Sequence, residues 1–292
     1  MYNKNVWSPG KTGDFSKTED AMKISFIGCG AMGGAMATAA LARGAAEGKD
    51  VFLYDSDRKK AETIAGEKGA VVCSSELEAA ERSDVIFICV KPQITGIVAE
   101  RIKPEIAKGK VIVSIAAGVT IKSYLEIVGN DAKIVRMIPN LPARAGFGIT
   151  GAYFYNFGER DKKLHDDIVE VVSKTGKVVT VKNEKLIDEM IAVTSSSPAY
   201  FCMMIETMAD FGVKAGFTRS DALMMAEQAM LGTSAYLIES GVHPAVLKDD
   251  VCSPGGTTIA AVTALDEAGF RKALLDGMDA CRKKAVKTEG YS

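Results

Sequence analysis

Histidine, tryptophan and surplus charge are all scarce in this chain, and each scarcity narrows what the chain can do. Only two histidines occur, His165 and His243. His165 lies on a polar helical stretch and His243 precedes Pro244 at a helix start. Neither has a metal or nucleophile partner at a recognisable spacing, so both read as structural or solvated. The six cysteines (Cys29, Cys73, Cys89, Cys202, Cys252 and Cys281) contain no C-x-x-C pair, which argues against a metal site or a disulfide framework and for reduced intracellular thiols. Cys252 reads as a packing residue, because no base accompanies it. Lysine and arginine number 36 against 37 acids, a net charge of −1, so no electrostatic ground exists for nucleic acid or an anionic membrane as partner. No apolar run approaches the ~18 residues a membrane span needs. The first twenty residues have neither the apolar centre of a signal peptide nor the Arg-rich pattern of a transit peptide. Lone Trp7 and Phe15 cannot organise a core there, so residues 1–21 are expected to be a flexible extension, with Met22 as the functional start of a cytoplasmic protein.

What the chain does have is an ordinary globular balance, 47% apolar and 25% charged over 292 residues, enough for two domains. The most informative stretch is Met22–Gly34. Lys23 to Ile27 reads as a short buried strand. Gly28, Gly30 and Gly33 then spell G-x-G-x-x-G, and Ala35 to Leu41 continues as a small-residue helix. In a dinucleotide site the first glycine permits a tight turn, the second lets backbone approach a pyrophosphate, and the third lets helix and strand pack closely. The pyrophosphate would sit over Ile27, Gly28, Cys29, Gly30, Ala31, Met32 and Gly33, on the helix N-terminus, where unpaired N–H groups and the dipole favour negative charge. The pattern alone is weak, and its context decides. A second strand ends in Asp55, 22 positions after Gly33 (55 − 33), close to the ~20 expected of an acid that meets the adenine ribose.

From Lys23 onward apolar runs alternate with helical patterns, which predicts a mostly parallel sheet with helices on both faces. The strand candidates are Lys23–Ile27, Val51–Asp55, Ala70–Cys73, Val85–Val90, Val111–Ile115 and Ile134–Ile138. Their near-continuous Val, Ile and Phe content suits burial on both faces. Gly148–Tyr155 reads as a further strand, antiparallel in the simplest arrangement. Asp161–Lys174 reads as a helix that Gly176 ends, before a strand over Lys177–Val181. After Lys182 no β-type run remains. The expected division is thus a Rossmann-type dinucleotide domain over residues 22–183 and an all-helical dimerisation and substrate domain over 184–292. Phe201, Met204, Met208 and Phe211 follow helical spacing, yet Cys202, Met203, Ile205 and Ala209 fill the other faces. A helix apolar nearly all round must be covered on all sides. A second subunit and a fully internal position are the two ways to do that, and a domain of ~100 residues favours the subunit.

Three loops are expected to converge on one sheet edge, where ligands bind in open α/β folds. They are Val90-Lys91-Pro92, with Pro92 closing its strand; Ser114–Gly118, including Ile115, Ala116 and Ala117; and Pro139–Pro142, including Asn140. At the ribose end, Asp55 favours NADH, whereas Ser56, Arg58, Lys59 and Lys60 would hold the 2′-phosphate of NADPH; the residues leave both open, along with plain helix capping. In the helical half, Val251–Val262 reads VCSPGGTTIAAV. Ser253 suits an N-cap and Pro254 a first helical position. Gly255 and Gly256 are costly at a helix start, roughly up to 1 kcal/mol each relative to Ala, and a pure cap would not need them; the glycine pair followed by Thr257 and Thr258 points to a small anion, with plain capping as the alternative.

At Leu247–Leu265, LKDDVCSPGGTTIAAVTAL resembles the signature of the pyrroline-5-carboxylate reductases. The resemblance extends from Lys23 to about Lys284 through IGCGAMGGAM (Ile27–Met36), CVKPQ (Cys89–Gln93), SIAAGVTI (Ser114–Ile121), RMIPNLPA (Arg136–Ala143) and VTSSSPAY (Val193–Tyr200). It implies hydride transfer from NADPH or NADH to the C=N bond of 1-pyrroline-5-carboxylate, a cyclic imino acid, giving L-proline. It further implies a homodimer interlocked through the helical domain, within a larger ring such as a decamer. By the same resemblance Ser253, Gly256 and Thr257 hold the substrate carboxylate and Thr258 reaches the ring nitrogen. No metal is implied, and an imine that arrives protonated explains the absent acid–base set. Two departures are visible. Ser-Gly-Ser-Gly-Pro of the family is Thr194-Ser-Ser-Ser-Pro198 here, which should alter local backbone geometry. Met-Pro-Asn-Thr-Pro is Ile138-Pro-Asn-Leu-Pro142, which removes a hydroxyl from the cofactor wall. The alternatives are a reductase of another cyclic imine and a β-hydroxyacid dehydrogenase-like enzyme. The latter needs a catalytic lysine for which only Lys185 is near.

Overall fold

The computed structural model describes residues 21–287. The expected extension over 1–21 therefore falls, but for Ala21, outside the described residues. The described residues fall into two compact units, one that runs to Ser195 and resumes at Arg282, and one that spans Ser196–Cys281.

The first unit is built on one eight-stranded sheet. In chain order its elements are β1 (Ile24–Ile27), α1 (Ala31–Ala42), β2 (Val51–Tyr54), α2 (Arg58–Lys68), β3 (Val71–Val72), α3 (Glu76–Glu81), β4 (Val85–Ile88), α4 (Pro92–Ile106), β5 (Val111–Ser114), α5 (Ile121–Val128), β6 (Lys133–Ile138), β7 (Gly148–Tyr155), α6 (Lys162–Ser173), β8 (Gly176–Thr180) and α7 (Lys185–Met190). The strands lie in the order β3-β2-β1-β4-β5-β6-β7-β8. Every pairing is parallel except β6 with β7, the antiparallel strand the sequence pattern indicated. Order 3-2-1-4-5 with helical crossovers is the doubly wound arrangement, whose strand order reverses beside β1.

Alternate residues of each strand enter two separate cores, one per sheet face. Ile24 and Phe26 of β1 join Leu53, Phe87 and Val113 beneath Met36, Ala37 and Ala40 of α1 and Ile168 and Val172 of α6. Ile27, Ile86, Ile88 and Ile112 point the other way, onto Ala79 of α3, Val98 and Ile102 of α4, and Tyr124 of α5. Phe26 and Phe87 stack at 4.7 Å across neighbouring strands. Each such fully buried side chain contributes about 1.5–3 kcal/mol, and the uninterrupted apolar strands follow from being covered twice.

Three local expectations need correction. β4 stops at Ile88, and Pro92 does not close it but opens α4 as a first-turn proline after Lys91. Proline suits that position because its missing N–H has no intrahelical partner there. Gly176 does not end α6; it begins β8, at a φ of 144°, where a Cβ would meet the Gly148 carbonyl oxygen at 1.9 Å. The third is the helix start expected at Ser253–Pro254, since the helix there begins at Thr257.

The second unit is helical: α8 (Ser197–Lys214), α9 (Arg219–Ser240), α10 (Pro244–Asp250), α11 (Thr257–Glu267) and α12 (Phe270–Lys287) as far as Cys281, beyond which α12 is grouped with the first unit. α8 and α9 pack tightly, with Gly212 so close that a Cβ there would meet Ala222 Cβ at 2.8 Å. Only small residues of this pair are buried, namely Ser197, Ala209, Ala222 and Ala226. Met203 and Phe211 of α8 are 67% and 71% exposed, and Met224, Leu231, Ile238, Leu265 and Leu275 are exposed as well. α8 is thus not enclosed by its own chain. The fully internal alternative is overturned, and an apolar surface of this extent marks an interaction face.

Candidate active site

The glycine loop carries three different demands on one short segment. Gly28 follows β1 at a φ of 102°, and a Cβ there would meet the Cys89 carbonyl carbon and oxygen at 2.8 Å. Its N–H donates to the Tyr54 carbonyl oxygen at 2.8 Å, which binds the loop to the end of β2. Gly33 lies one turn into α1, where a Cβ would meet the Gly28 carbonyl oxygen at 2.1 Å and Cys89 Cβ at 2.6 Å. Gly30 differs from both: nothing lies within 4 Å of the place its Cβ would occupy. It is the N-cap of α1, with no side-chain cap and no acid in the first turn. The open space belongs to a groove of 480 Å³ lined by Cys29, Gly30, Ala31, Lys60, Ala143 and Arg144, among others. Two glycines required by close packing and one facing open space at an uncapped helix start fit a dinucleotide pyrophosphate.

Asp55 follows β2 and turns back toward this loop. Its Oδ2 accepts the Cys29 N–H at 2.7 Å and its Oδ1 the Asp57 N–H at 2.8 Å. Ser56 is exposed, and Asp57 precedes α2 without a side-chain cap. Arg58 Nε lies 2.7 Å from Glu62 Oε1. The Cys29 thiol is pushed up to about 12, chiefly by burial and secondly by the Asp55 charge. Burial likewise raises Cys89, with Cys29 adding to the effect. Both shifts favour the protonated thiol beside the loop.

Parallel register brings the next loops to the same edge, since Ile27 pairs with Ile88, Ile88 with Ser114, and Ser114 with Arg136. Val90 is half-buried while Lys91 and Pro92 are exposed; Ala116 is buried, Ile115 partly so and Ala117 exposed. Ser114 Oγ holds its loop by lying 3.3 Å from the Ala116 N–H and 2.8 Å from Tyr124 Oη. Tyr124 is pushed up to about 12 by burial, so it remains a neutral phenol. Asn140 is buried, and its amide is engaged inside the protein. Oδ1 accepts the Ile149 N–H at 2.9 Å and Nδ2 donates to the Thr194 carbonyl oxygen at 3.1 Å. It therefore positions β7 and the segment after α7 with its side chain, which leaves only its backbone for a cofactor.

That segment, Ile191–Ser195, is a π-helical turn. It contains Thr194 and Ser195, the first two residues of the Thr-Ser-Ser-Ser-Pro departure, and wider i→i+5 turns of this kind are rare and concentrate at functional sites. Sequence reasoning missed what supports it. Arg136 on β6 is 2% exposed; its Nη1 and Nη2 donate to Asp188 Oδ2 and Oδ1, and Nη1 also reaches Glu184 Oε1 at 3.0 Å. Glu184 Oε1 in turn accepts the Ile121 N–H at the start of α5. One buried guanidinium thus ties β6, α5 and α7 together. An arginine amid Ile, Val and Met in a strand with two buried faces was the available signal, since such a charge is buried only when paired.

In the second unit, α11 begins at Thr257 with Gly256 as its N-cap, not at Ser253–Pro254. Ser253 to Gly256 is a turn, closed by Gly256 N–H to the Ser253 carbonyl oxygen at 3.0 Å, with Gly255 at a φ of 67°. The helix starts later because a left-handed Gly255 cannot continue a right-handed helix. Ser253 is folded over the turn: a Cβ on Gly256 would meet Ser253 Oγ at 2.3 Å. Its hydroxyl consequently lies beside the uncapped start of an 11-residue helix whose first residues are Thr257 and Thr258. The histidines take no part. His165 packs on Phe154 at 4.2 Å beside Asp166, and His243 Nδ1 caps α10 by accepting the Ala245 N–H. Lys185 is exposed at the first position of α7. Among the described residues no three His, Cys, Asp or Glu side chains form a metal-binding group.

Comparison with known proteins gives the same picture. Residues 184–288 match the family model for pyrroline-5-carboxylate reductase dimerisation, and residues 23–118 match that for NADP oxidoreductase, coenzyme F420-dependent. The chain is 37% identical over 265 residues to pyrroline-5-carboxylate reductase of Escherichia coli, covering 91% of this chain and 97% of that one. It is 33% identical to the Arabidopsis thaliana enzyme of the same name, with 91% and 95% covered. Among solved structures it is similar to the pyrroline-5-carboxylate reductase of Coxiella burnetii (TM-score 0.87, 25% identity, 92% and 99% covered). It is also similar to the Plasmodium falciparum pyrroline carboxylate reductase with NADP bound (TM-score 0.79, 29% identity, 92% and 98% covered). With both halves of the fold accounted for and the likeness running nearly end to end, this chain belongs to the pyrroline-5-carboxylate reductase family.

Proposed function

We propose that this chain reduces 1-pyrroline-5-carboxylate to L-proline, with NADPH or NADH as hydride donor. The observation that carries the reading is that each unit holds an uncapped glycine-led helix start, at Gly30 in the first and at Gly256–Thr258 in the second, in a chain related along nearly its whole length to reductases of that name. The dinucleotide supplies the hydride. Gly28, Gly30 and Gly33 shape its pyrophosphate site, Asp55 lies at the ribose end, and the backbone of 115–117 and 90–92 walls the ring. Ser253, Gly256 and Thr257 take the substrate carboxylate through a hydroxyl and the backbone at the start of α11, and Thr258 hydrogen-bonds the ring nitrogen. No side chain needs to move a proton before transfer if the imine binds protonated, so the protein's work is alignment and exclusion of water.

Residues 22–183 are assigned to the dinucleotide domain and 184–292 to the substrate and dimerisation domain. A second copy of the chain covers the exposed Met203–Phe211 face of α8, in keeping with the dimerisation family match. Among the described residues no helix is long and apolar enough to cross a membrane, and we place the protein in the cytoplasm.

The test follows loss of reduced-nicotinamide absorbance with pyrroline-5-carboxylate and with its six-membered homologue. Rapid, saturable turnover of the five-membered imine is expected. Tight dinucleotide binding with turnover of neither imine would refute the substrate assignment.

A further inference from the structure

We propose that Asp55 makes this chain prefer NADH to NADPH, by holding a fixed carboxylate where the 2′-phosphate of NADPH would have to lie. The inference rests on the reductase reading above and adds the choice of cofactor. β1 and β2 are parallel with Ile27 beside Tyr54, so Asp55 and the glycine loop leave the sheet together. Asp55 is then held by two backbone donors from different segments, the Cys29 N–H at 2.7 Å and the Asp57 N–H at 2.8 Å. Its side chain is only 11% exposed. Bonds from N–H groups to a carboxylate are charge-assisted and short, and turning the group aside would break both. A ribose with a free 2′-hydroxyl can donate to the remaining lone pairs of such a group. A dianionic 2′-phosphate cannot, and it meets a like charge that has nowhere to go.

The basic residues nearby do not form a phosphate clamp. Arg58 Nε is directed to Glu62, on its own helix. Lys60 Nζ lies 3.9 Å from Asp55 and 3.6 Å from Asp57, between two carboxylates. Lys59 is the third base, so Asp55, Asp57 and Glu62 match Arg58, Lys59 and Lys60 one for one. Surface pairs of this kind rearrange at little cost, so Arg58 is free to swing. Asp55 is not. The immobile member of the set is the one that decides which ligand is repelled.

The experiment is steady-state reduction of pyrroline-5-carboxylate by the full-length protein with NADH and with NADPH, together with fluorescence titration of each dinucleotide. Wild type, Asp55→Asn and Asp55→Ser are compared. The wild type is expected to favour NADH by at least about tenfold in kcat/KM, and each substitution is expected to shrink that ratio several-fold. A merely structural defect would lower both cofactors together and leave the ratio where it was. Equal use of the two cofactors, or a preference for NADPH, in the wild type would overturn the inference. So would an NADH preference that survives both substitutions unchanged. Binding of neither dinucleotide would instead overturn the reductase reading, and this inference with it.

Discussion

Replacing Asp188 by alanine should damage this protein far more than its distance from any cofactor loop suggests. The substitution removes both oxygens that receive Nη1 and Nη2 of Arg136, leaving that guanidinium, 2% exposed, with Glu184 Oε1 alone. Arg136 Nε already has no partner among the described residues, so the charge cannot be satisfied by local rearrangement. Stripping one partner from a buried pair costs about 3–5 kcal/mol, because the survivor keeps its desolvation cost and loses its compensation. For a unit of this size each kcal/mol lowers Tm by roughly 2–4 °C, so the expected fall is about 6–20 °C. The assay is guanidinium and thermal unfolding by far-UV circular dichroism at one fixed protomer concentration, since association also shifts apparent stability. The double substitution Arg136→Met with Asp188→Leu removes both charges and should cost less than Asp188→Ala alone, as neither charge is then stranded. A loss below about 1 kcal/mol for Asp188→Ala, or a double variant worse than the two singles combined, would refute the claim that this pair is a closed, dry contact.

Three further outcomes follow from the geometry. Gly30→Ala should fold normally, with open space at its Cβ, yet lose at least about tenfold in dinucleotide affinity as measured by fluorescence titration. Gly33→Ala, whose Cβ would meet the Gly28 carbonyl oxygen at 2.1 Å, should instead fall by several degrees in Tm or fail to accumulate; matching behaviour of the two variants would contradict the separate roles assigned to them. Thr258→Ala should reduce kcat by about tenfold or more, roughly 1.4 kcal/mol, with dinucleotide affinity nearly unchanged; comparable loss of cofactor binding would exclude its contact with the substrate nitrogen. The raised thiols give a pH prediction. Cys29 is held up to about 12 and Cys73 to about 11, against 9.0 for a free thiol, and burial raises Cys89 too. All three should resist a thiol reagent at neutral and mildly alkaline pH in the native protein and react once it unfolds. Because the unfolded chain releases these protons first, above its own value near 9, their contribution to stability falls as pH rises from there; fast native-state labelling of Cys89 would show that the interior next to Gly33 is open.

Much of this molecule was legible without coordinates wherever the cause of a feature is local. The G-x-G-x-x-G spacing, the doubly covered Val/Ile/Phe strands and the antiparallel Gly148–Tyr155 are of this kind, because period, turn chemistry and side-chain volume are properties of neighbouring residues. The overfull α8 also announced its need for a cover, since too many of its faces are apolar for one helix in a small domain. Tertiary structure alone decided the features whose cause lies far along the chain. Arg136 meets Asp188 across 52 positions and Asn140 meets Thr194 across 54, so a strand arginine became a buried tie and the Asn140 side chain a support for β7. Ser253 could not be placed by its capping preference, because the left-handed Gly255 delays the helix to Thr257 and turns the serine into a hydroxyl folded over that turn. Asp55 shows the division most plainly. Its position after β2 follows from the spacing, but whether its carboxylate is free or fixed depends on the Cys29 N–H, 26 positions away, which only the folding of β1 beside β2 brings within reach.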